Sequence, residues 1–243
     1  MIGIFCSAID LPALWVYQGL KRRGLVSLEV FTPEALVYNR RFEHRLLSDE
    51  TVTRIMLADG RVLDGTQFDG VLNRINALPV EHLQSAVSDD RQYAAQEQRA
   101  VFLSWLYSLP GVLINRPGAR GLCGDLLSLA EWTWLAGQAG LPTLTFHQND
   151  QTPGGTLDES PYTGSIFQII VLDGQIYGQR PPAFSADMMG CISRLADFCG
   201  LRLFGMDFCF KPEGEQLFAS ATTLPDLRLG GEEILDALAE ALA

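Results

Sequence analysis

The chain opens on an extended run, Ile2-Gly3-Ile4-Phe5, with polar Ser7 and Asp10 behind it. Leu11, Leu14, Trp15, Tyr17 and Leu20 then recur at helical spacing as far as Lys21-Arg22-Arg23-Gly24. Asp10 stands where a carboxylate caps a helix, and cations followed by a glycine stop one. Val26 to Phe31 reads as a second strand. Strand, helix and strand in this order predict a parallel pair in a small α/β domain. The extended runs 51–57 and 62–63 flank Ala58-Asp59-Gly60-Arg61 and predict a hairpin. Residues 69–75 and 112–117 read as strands closing on Asn73-Arg74 and Asn115-Arg116, with a long helix over 88–108 between them.

Past residue 117 the pattern changes. A helix over about 122–139 stops at Gly140. Residues 166–172 and 175–179 flank Asp173-Gly174, and 203–210 and 216–219 flank Pro212-Glu213-Gly214-Glu215, so two hairpins enclose a helix over 185–199. A last helix covers 231–242. Residues 148–164 carry turn formers and few core residues, which predicts a loop. The fold class expected is α/β (α+β). A small parallel-sheet domain spans 1–117, and a second domain with an antiparallel sheet spans 118–243.

Composition narrows the partners. The 243 residues carry a net charge of -11, which repels nucleic acid and anionic lipid. Five cysteines without a C-x-x-C pair give neither a disulfide framework nor a zinc site. No run approaches a membrane span, and the first residues lack the pattern of a signal peptide. The expectation is a reduced, cytoplasmic protein.

Several residues are candidates for chemistry, each with a structural alternative. Arg74, Asn115 and Arg116 end parallel strands, where side chains face the ligand crevice of an open α/β sheet. An arginine there holds a carboxylate in a two-pronged contact, or pairs with a neighbouring acid. Ser7 follows the first strand into the same crevice, with helix capping as its alternative. Cys6 reads as a small core hydrophobe. His44, His82 and His147 show no serine or cysteine partner and no G-x-S-x-G elbow accompanies them, so a hydrolase triad is not expected. His147 with Asp150 lacks a third metal ligand. Gly154-Gly155 reads as a phosphate-loop remnant or, more simply, a turn. Trp105, Trp132 and Trp134 sit at core-like spacing, with an exposed dimer patch as the alternative.

The order of elements resembles the ATP-grasp proteins. The segment 196–227 carries that likeness: a helix ends in Gly200-Leu201, a strand holds Gly205-Met206-Asp207, a hairpin follows, and a strand leads to Pro225. Val112 to Pro117 with the helix to Gly140-Leu141-Pro142-Thr143 resembles the family's link from its preceding α/β domain. Phe167 to Gln179 resembles its Val-Gly-Gly hairpin. The likeness points to the glutathione-synthetase-like and ribosomal-protein glutamate ligase branch. It implies descent from ATP-dependent carboxylate–amine ligases, which form an acylphosphate and use magnesium.

Set against that pattern, the residues imply a degenerate and truncated member. Asp207 matches the family's first metal ligand, but Ser220 and Thr222 stand where the family carries Glu and Asn. The family's small lobe brings two lysines to the nucleotide. Here about 25 residues join the helix ending near 140 to the hairpin near 167, and none is Lys or Arg. The only lysines are Lys21 and Lys211. Each lost charge-assisted hydrogen bond is worth roughly 1.5–3 kcal/mol, and each ~1.4 kcal/mol is tenfold in affinity. No cofactor is therefore expected, with ATP and magnesium only if the chain is a divergent ligase after all. The partners expected are a small carboxylate or amino ligand, a second copy, or a related ligase subunit.

Overall fold

The computed structural model describes residues 1–144, 146–149, 152–157, 166–178, 186–210 and 216–243. Two compact units emerge, Met1–Cys123 with Leu238–Ala243, and Gly124–Ala237. By this division Leu238–Ala243 joins the first unit, and so does the segment 118–123, which the expected boundary at 117/118 put in the second. That segment is tied to the first unit where Asn73 Nδ2 donates to the Leu122 carbonyl, 2.7 Å.

The first unit follows the predicted alternation. Strand β1 (Ile2–Phe5) leads to helix α1 (Leu11–Arg22), β2 (Leu28–Phe31) and a short α2 (Pro33–Val37). Strands β3 (Arg41–Leu46), β4 (Thr51–Met56) and β5 (Val62–Asp64) come next, then β6 (Gly70–Asn73), α3 (Ser88–Ser108) and β7 (Val112–Ile114). The parallel sheet has the order β2-β1-β6-β7. Strands β3, β4 and β5 form a separate antiparallel sheet. Asp10 caps α1 by accepting from Ala13 N, and Gly24 ends the segment at a positive φ of 87°. The core is aromatic: Phe5 lies between Phe31, Phe68 and Trp105, all of them buried.

The second unit comprises α4 (Leu129–Ala139), β8 (Phe146–Asn149), β9 (Thr152–Leu157), β10 (Phe167–Leu172), β11 (Gln175–Tyr177), α5 (Ala186–Cys199), β12 (Leu203–Phe210), β13 (Gln216–Thr222) and most of α6 (Gly231–Leu242). The antiparallel sheet runs β11-β10-β12-β13. One face packs on α4 and α5, through Ile169, Val171, Phe204, Met206, Phe208 and Phe218 against Trp132, Ala136, Ile192 and Leu195. The expected α/β (α+β) class, parallel sheet first and antiparallel sheet second, is the class observed.

Three local expectations need correction. The helix expected from residue 122 starts at Leu129. Gly124 is left-handed at φ 100°, and Ser128 with Glu131 forms a reciprocal capping box that fixes the start. The loop expected over 148–164 contains the hairpin β8–β9, and Gly154 and Gly155 lie inside β9 rather than in a turn. Strand β3 and helix α2 were not expected. Among the described residues no helix is long and apolar enough to cross a membrane.

Candidate functional site

On the face of the second unit's sheet turned away from α4 and α5, three polar side chains line up across three strands. Gln168 on β10 pairs in register with Asp207 on β12, and Asp207 pairs with Ser220 on β13. Gln168 Nε2 donates to Asp207 Oδ1 at 2.9 Å, and Ser220 Oγ donates to Asp207 Oδ2 at 2.6 Å. A β-bulge next to Asp207 makes this row compatible with the core. Asp207 faces Ser220, but the next pair is Phe208 with Phe218, so Ala219 is the extra residue. The extra residue changes the parity of β13. Phe218 therefore points to the helices with Phe208 while Ser220 stays opposite Asp207.

The row lies between two covered apolar patches. Leu144, Cys209, Leu217 and Ala219 form a small buried cluster on one side. On the other, Pro225 sits so close to Gly205 that a Cβ at that glycine would lie 2.8 Å from the Pro225 Cβ. Thr222 does not join the row, because its Oγ1 accepts from Leu224 N at 3.1 Å. Gln168 was missed in the sequence; its only signal is one polar residue inside the run Phe167-Gln168-Ile169-Ile170.

Magnesium wants near-ideal octahedral oxygen coordination at about 2.0–2.1 Å, with one or two carboxylates beside phosphate. The row supplies one carboxylate, and both its oxygens already accept from neutral donors. Among the described residues no group of three His, Cys, Asp or Glu side chains is placed to hold a metal ion. The row does not fit the metal that the family resemblance implies.

The first unit gathers other candidates at the C-terminal ends of its parallel strands. Arg74 follows β6 with a side chain only 4% exposed, and its guanidinium grips Asp10 through Nε–Oδ2 at 2.8 Å and Nη2–Oδ1 at 3.3 Å. Asp10 thus caps α1 and balances Arg74 together. Asn115 is buried, and its carbonyl accepts from Asn73 Nδ2 at 3.0 Å. Arg116 is exposed and reaches the Tyr107 carbonyl at 3.4 Å. Ser7 Oγ accepts from Ile9 N at 3.4 Å; the cap of α1 belongs to Asp10. Burial, then the Asp10 charge, pushes the Cys6 thiol up to about 12, which leaves it inert. Arg74 and Arg116 therefore end on neighbouring strands but turn to different partners.

The expectation that His44 has no serine partner needs correction, because Ser104 meets it across 60 residues of chain. His44 Nδ1 lies 2.8 Å from Thr53 Oγ1, and Nε2 lies 2.8 Å from Ser104 Oγ. Burial holds the imidazole below its ordinary value. The third member is a hydroxyl, which cannot steady an imidazolium as a carboxylate does. Trp105 and Trp132 are buried in the two cores, whereas Trp134 is 64% exposed. The candidate metal pair His147 and Asp150 lies outside the described side chains. Lys211 and the turn 212–215 also lie outside them, and Lys21 sits over the Tyr17 ring at 4.9 Å.

The parallel sheet of the first unit and the antiparallel sheet of the second, backed by two helices, make an ATP-grasp-like fold. Solved structures with a similar fold include a macrocyclase and ATP-grasp ligases. The macrocyclase MdnC bound with precursor peptide MdnA from Microcystis aeruginosa MRC superimposes with a TM-score of 0.69 at 13% identity, over 100% of this chain and 99% of that one. PsnB, complexed with minimal precursor, Mg and ADP, gives 0.70 at 17% identity over 99% and 96%. A Chryseobacterium gregarium RiPP-associated ATP-grasp ligase, in complex with ADP and a leader and core peptide, gives 0.69 at 12% identity over 99% and 96%. At such identities the likeness is one of fold. No family model matches the sequence, and no curated protein matches it.

Proposed function

We propose that this chain is a binding protein on an ATP-grasp-like scaffold, one that recognises a peptide and does not itself run ATP-dependent ligation. The carrying observation is the Gln168–Asp207–Ser220 row, where one carboxylate, held by two neutral donors, stands in place of a metal cradle. A peptide ligand is supported by the neighbours, three of which are seen with precursor or leader peptides. Small carboxylate or amino ligands remain chemically allied to it, being the ends of such a peptide. None of the five cysteines is joined in a disulfide, which supports a reducing compartment such as the cytoplasm.

The second reading is a divergent ATP-dependent carboxylate–amine ligase. It is favoured by the end-to-end likeness to PsnB, a protein complexed with Mg and ADP. Thermal melts with and without millimolar Mg-ATP separate the two. A ligand at 100 times its Kd adds about 2.7 kcal/mol, and each kcal/mol moves the melting of a chain this size by about 2–4 °C. The binding-protein reading expects no shift. A shift of several degrees that disappears in Asp207→Asn would overturn it.

A further inference from the structure

Strand β3 is an outer strand of its sheet, and the other outer strand, β5, has only three residues. Leu47 N donates to the Glu50 carbonyl at 2.9 Å, and the register runs from Arg41 opposite Met56 to Leu46 opposite Thr51. Backbone groups alternate in direction along an antiparallel strand. Counting back from Leu47, Arg45, Glu43 and Arg41 turn theirs to β4, while Phe42, His44 and Leu46 turn theirs outward. Among the described residues no backbone hydrogen bond reaches that outward side. The side chains also sort by face. Phe42 meets Phe102 and His44 meets Ser104, both on α3, and Leu46 on the same face is 68% exposed. Arg41, Glu43 and Arg45 stand on the opposite face. Both guanidiniums pair with the one Glu43 carboxylate, Arg45 at 3.4 Å, yet their side chains stay 67% and 66% exposed. This row keeps one positive charge in a chain of net -11.

We propose that the open edge of β3 takes an extended acidic peptide as a fourth, antiparallel strand. The proposal rests on the peptide-binding reading above and names the place and the chemistry of the peptide. Its acids stand four residues apart, opposite Arg45 and Arg41, with a neutral residue opposite Glu43. Apolar residues alternate with them, opposite Phe42, His44 and Leu46. Main-chain bonds to an exposed sheet edge give the attachment, and alternate side chains give the selection. Charge decides the occupant. An open edge ordinarily invites another copy of itself, but a second β3 brings the same net positive row. Two carboxylates instead complement the two arginines across the strands.

Fluorescence anisotropy with a labelled, end-capped peptide, Val-Glu-Val-Thr-Val-Glu-Val, tests this. The expected result is saturable binding that weakens with salt. Arg41→Gln with Arg45→Gln, at exposed sites, should keep the melting temperature and weaken binding by roughly two- to thirtyfold, the worth of two exposed ion pairs. In an antiparallel strand the valine N–H groups face β3, and those of the glutamates and threonine face away. Methylating the valine backbone nitrogens should therefore abolish binding, and methylating the other three should spare it. Binding that survives valine methylation, or that the arginine variant leaves unmoved, overturns the edge site while peptide recognition stands. Absence of binding overturns it as well, as does a doubled mass in sedimentation without peptide that the arginine variant abolishes. A Mg-ATP shift in the thermal melts overturns the broader reading by itself, whichever way the peptide result falls.

Discussion

Asp10→Asn decides whether Arg74 is a structural residue or one available to a ligand. The substitution keeps an oxygen for the Ala13 amide and removes the charge facing Arg74. The pair is well buried, 4% exposed on the arginine side chain and 13% on the aspartate. Neutralising one partner of a buried pair costs about 3–5 kcal/mol, because the ion in the low-dielectric site loses that opposing charge. Asp10→Ala also removes the cap and adds about 1 kcal/mol. Against a typical stability of about 5–15 kcal/mol these are large fractions. Urea unfolding followed by circular dichroism measures them. Replacing both residues, as Asp10→Ala with Arg74→Leu, should recover most of the loss, since a well-packed apolar pair is often neutral or better. If Asp10→Asn costs under about 1 kcal/mol, the ion pair is not what holds Arg74, and the reading of that residue as structural is wrong.

Two further outcomes follow from titrating groups. Burial depresses His44, so the unfolded chain binds a proton on this imidazole more readily than the folded one. Stability should thus fall as pH drops below the ordinary value of about 6.5, toward the folded value, and be unaffected by this group above it. Melting temperatures across that range should show a steeper acid loss for the natural chain than for His44→Gln; equal slopes would refute the assignment. Burial also pushes the Cys199 thiol, the one half-buried among otherwise buried cysteines, up to about 12. At pH 8 Cys199 in the folded protein should react with Ellman's reagent far more slowly than in the unfolded chain. Rapid labelling of a folded thiol would contradict this.

Periodicity tells which face a residue occupies; it does not tell what lies across from it, and the legible and illegible parts of this chain divide along that line. Helices α3, α5 and α6 and the hairpins around Asp59-Gly60 and Asp173-Gly174 were readable, because their apolar spacing and turn residues are local. Strand β3 was not, because Arg41, Glu43 and Arg45 alternate with Phe42 and His44 in a run too charged to look like a strand. Helix α2 is five residues long, too short for any period. Strand β9 hid behind Gly154-Gly155, residues that weaken a strand without forbidding it.

The candidate site divides the same way. Asp207 was found from its place in a motif, but its meaning rests on Gln168, 39 residues away, and on Ser220. The alignment of those three depends on the single extra residue Ala219, which nothing in the sequence marks. Arg74 and Asp10 are 64 residues apart, and His44 and Ser104 are 60 apart. In each pair both members were visible and their meeting was not. What a carboxylate does is set by the groups opposite it. Beside a second carboxylate Asp207 would repel its neighbour and so invite a cation. Between an amide and a hydroxyl it is already satisfied, and magnesium would have to displace hydrogen bonds while gaining only one negative charge.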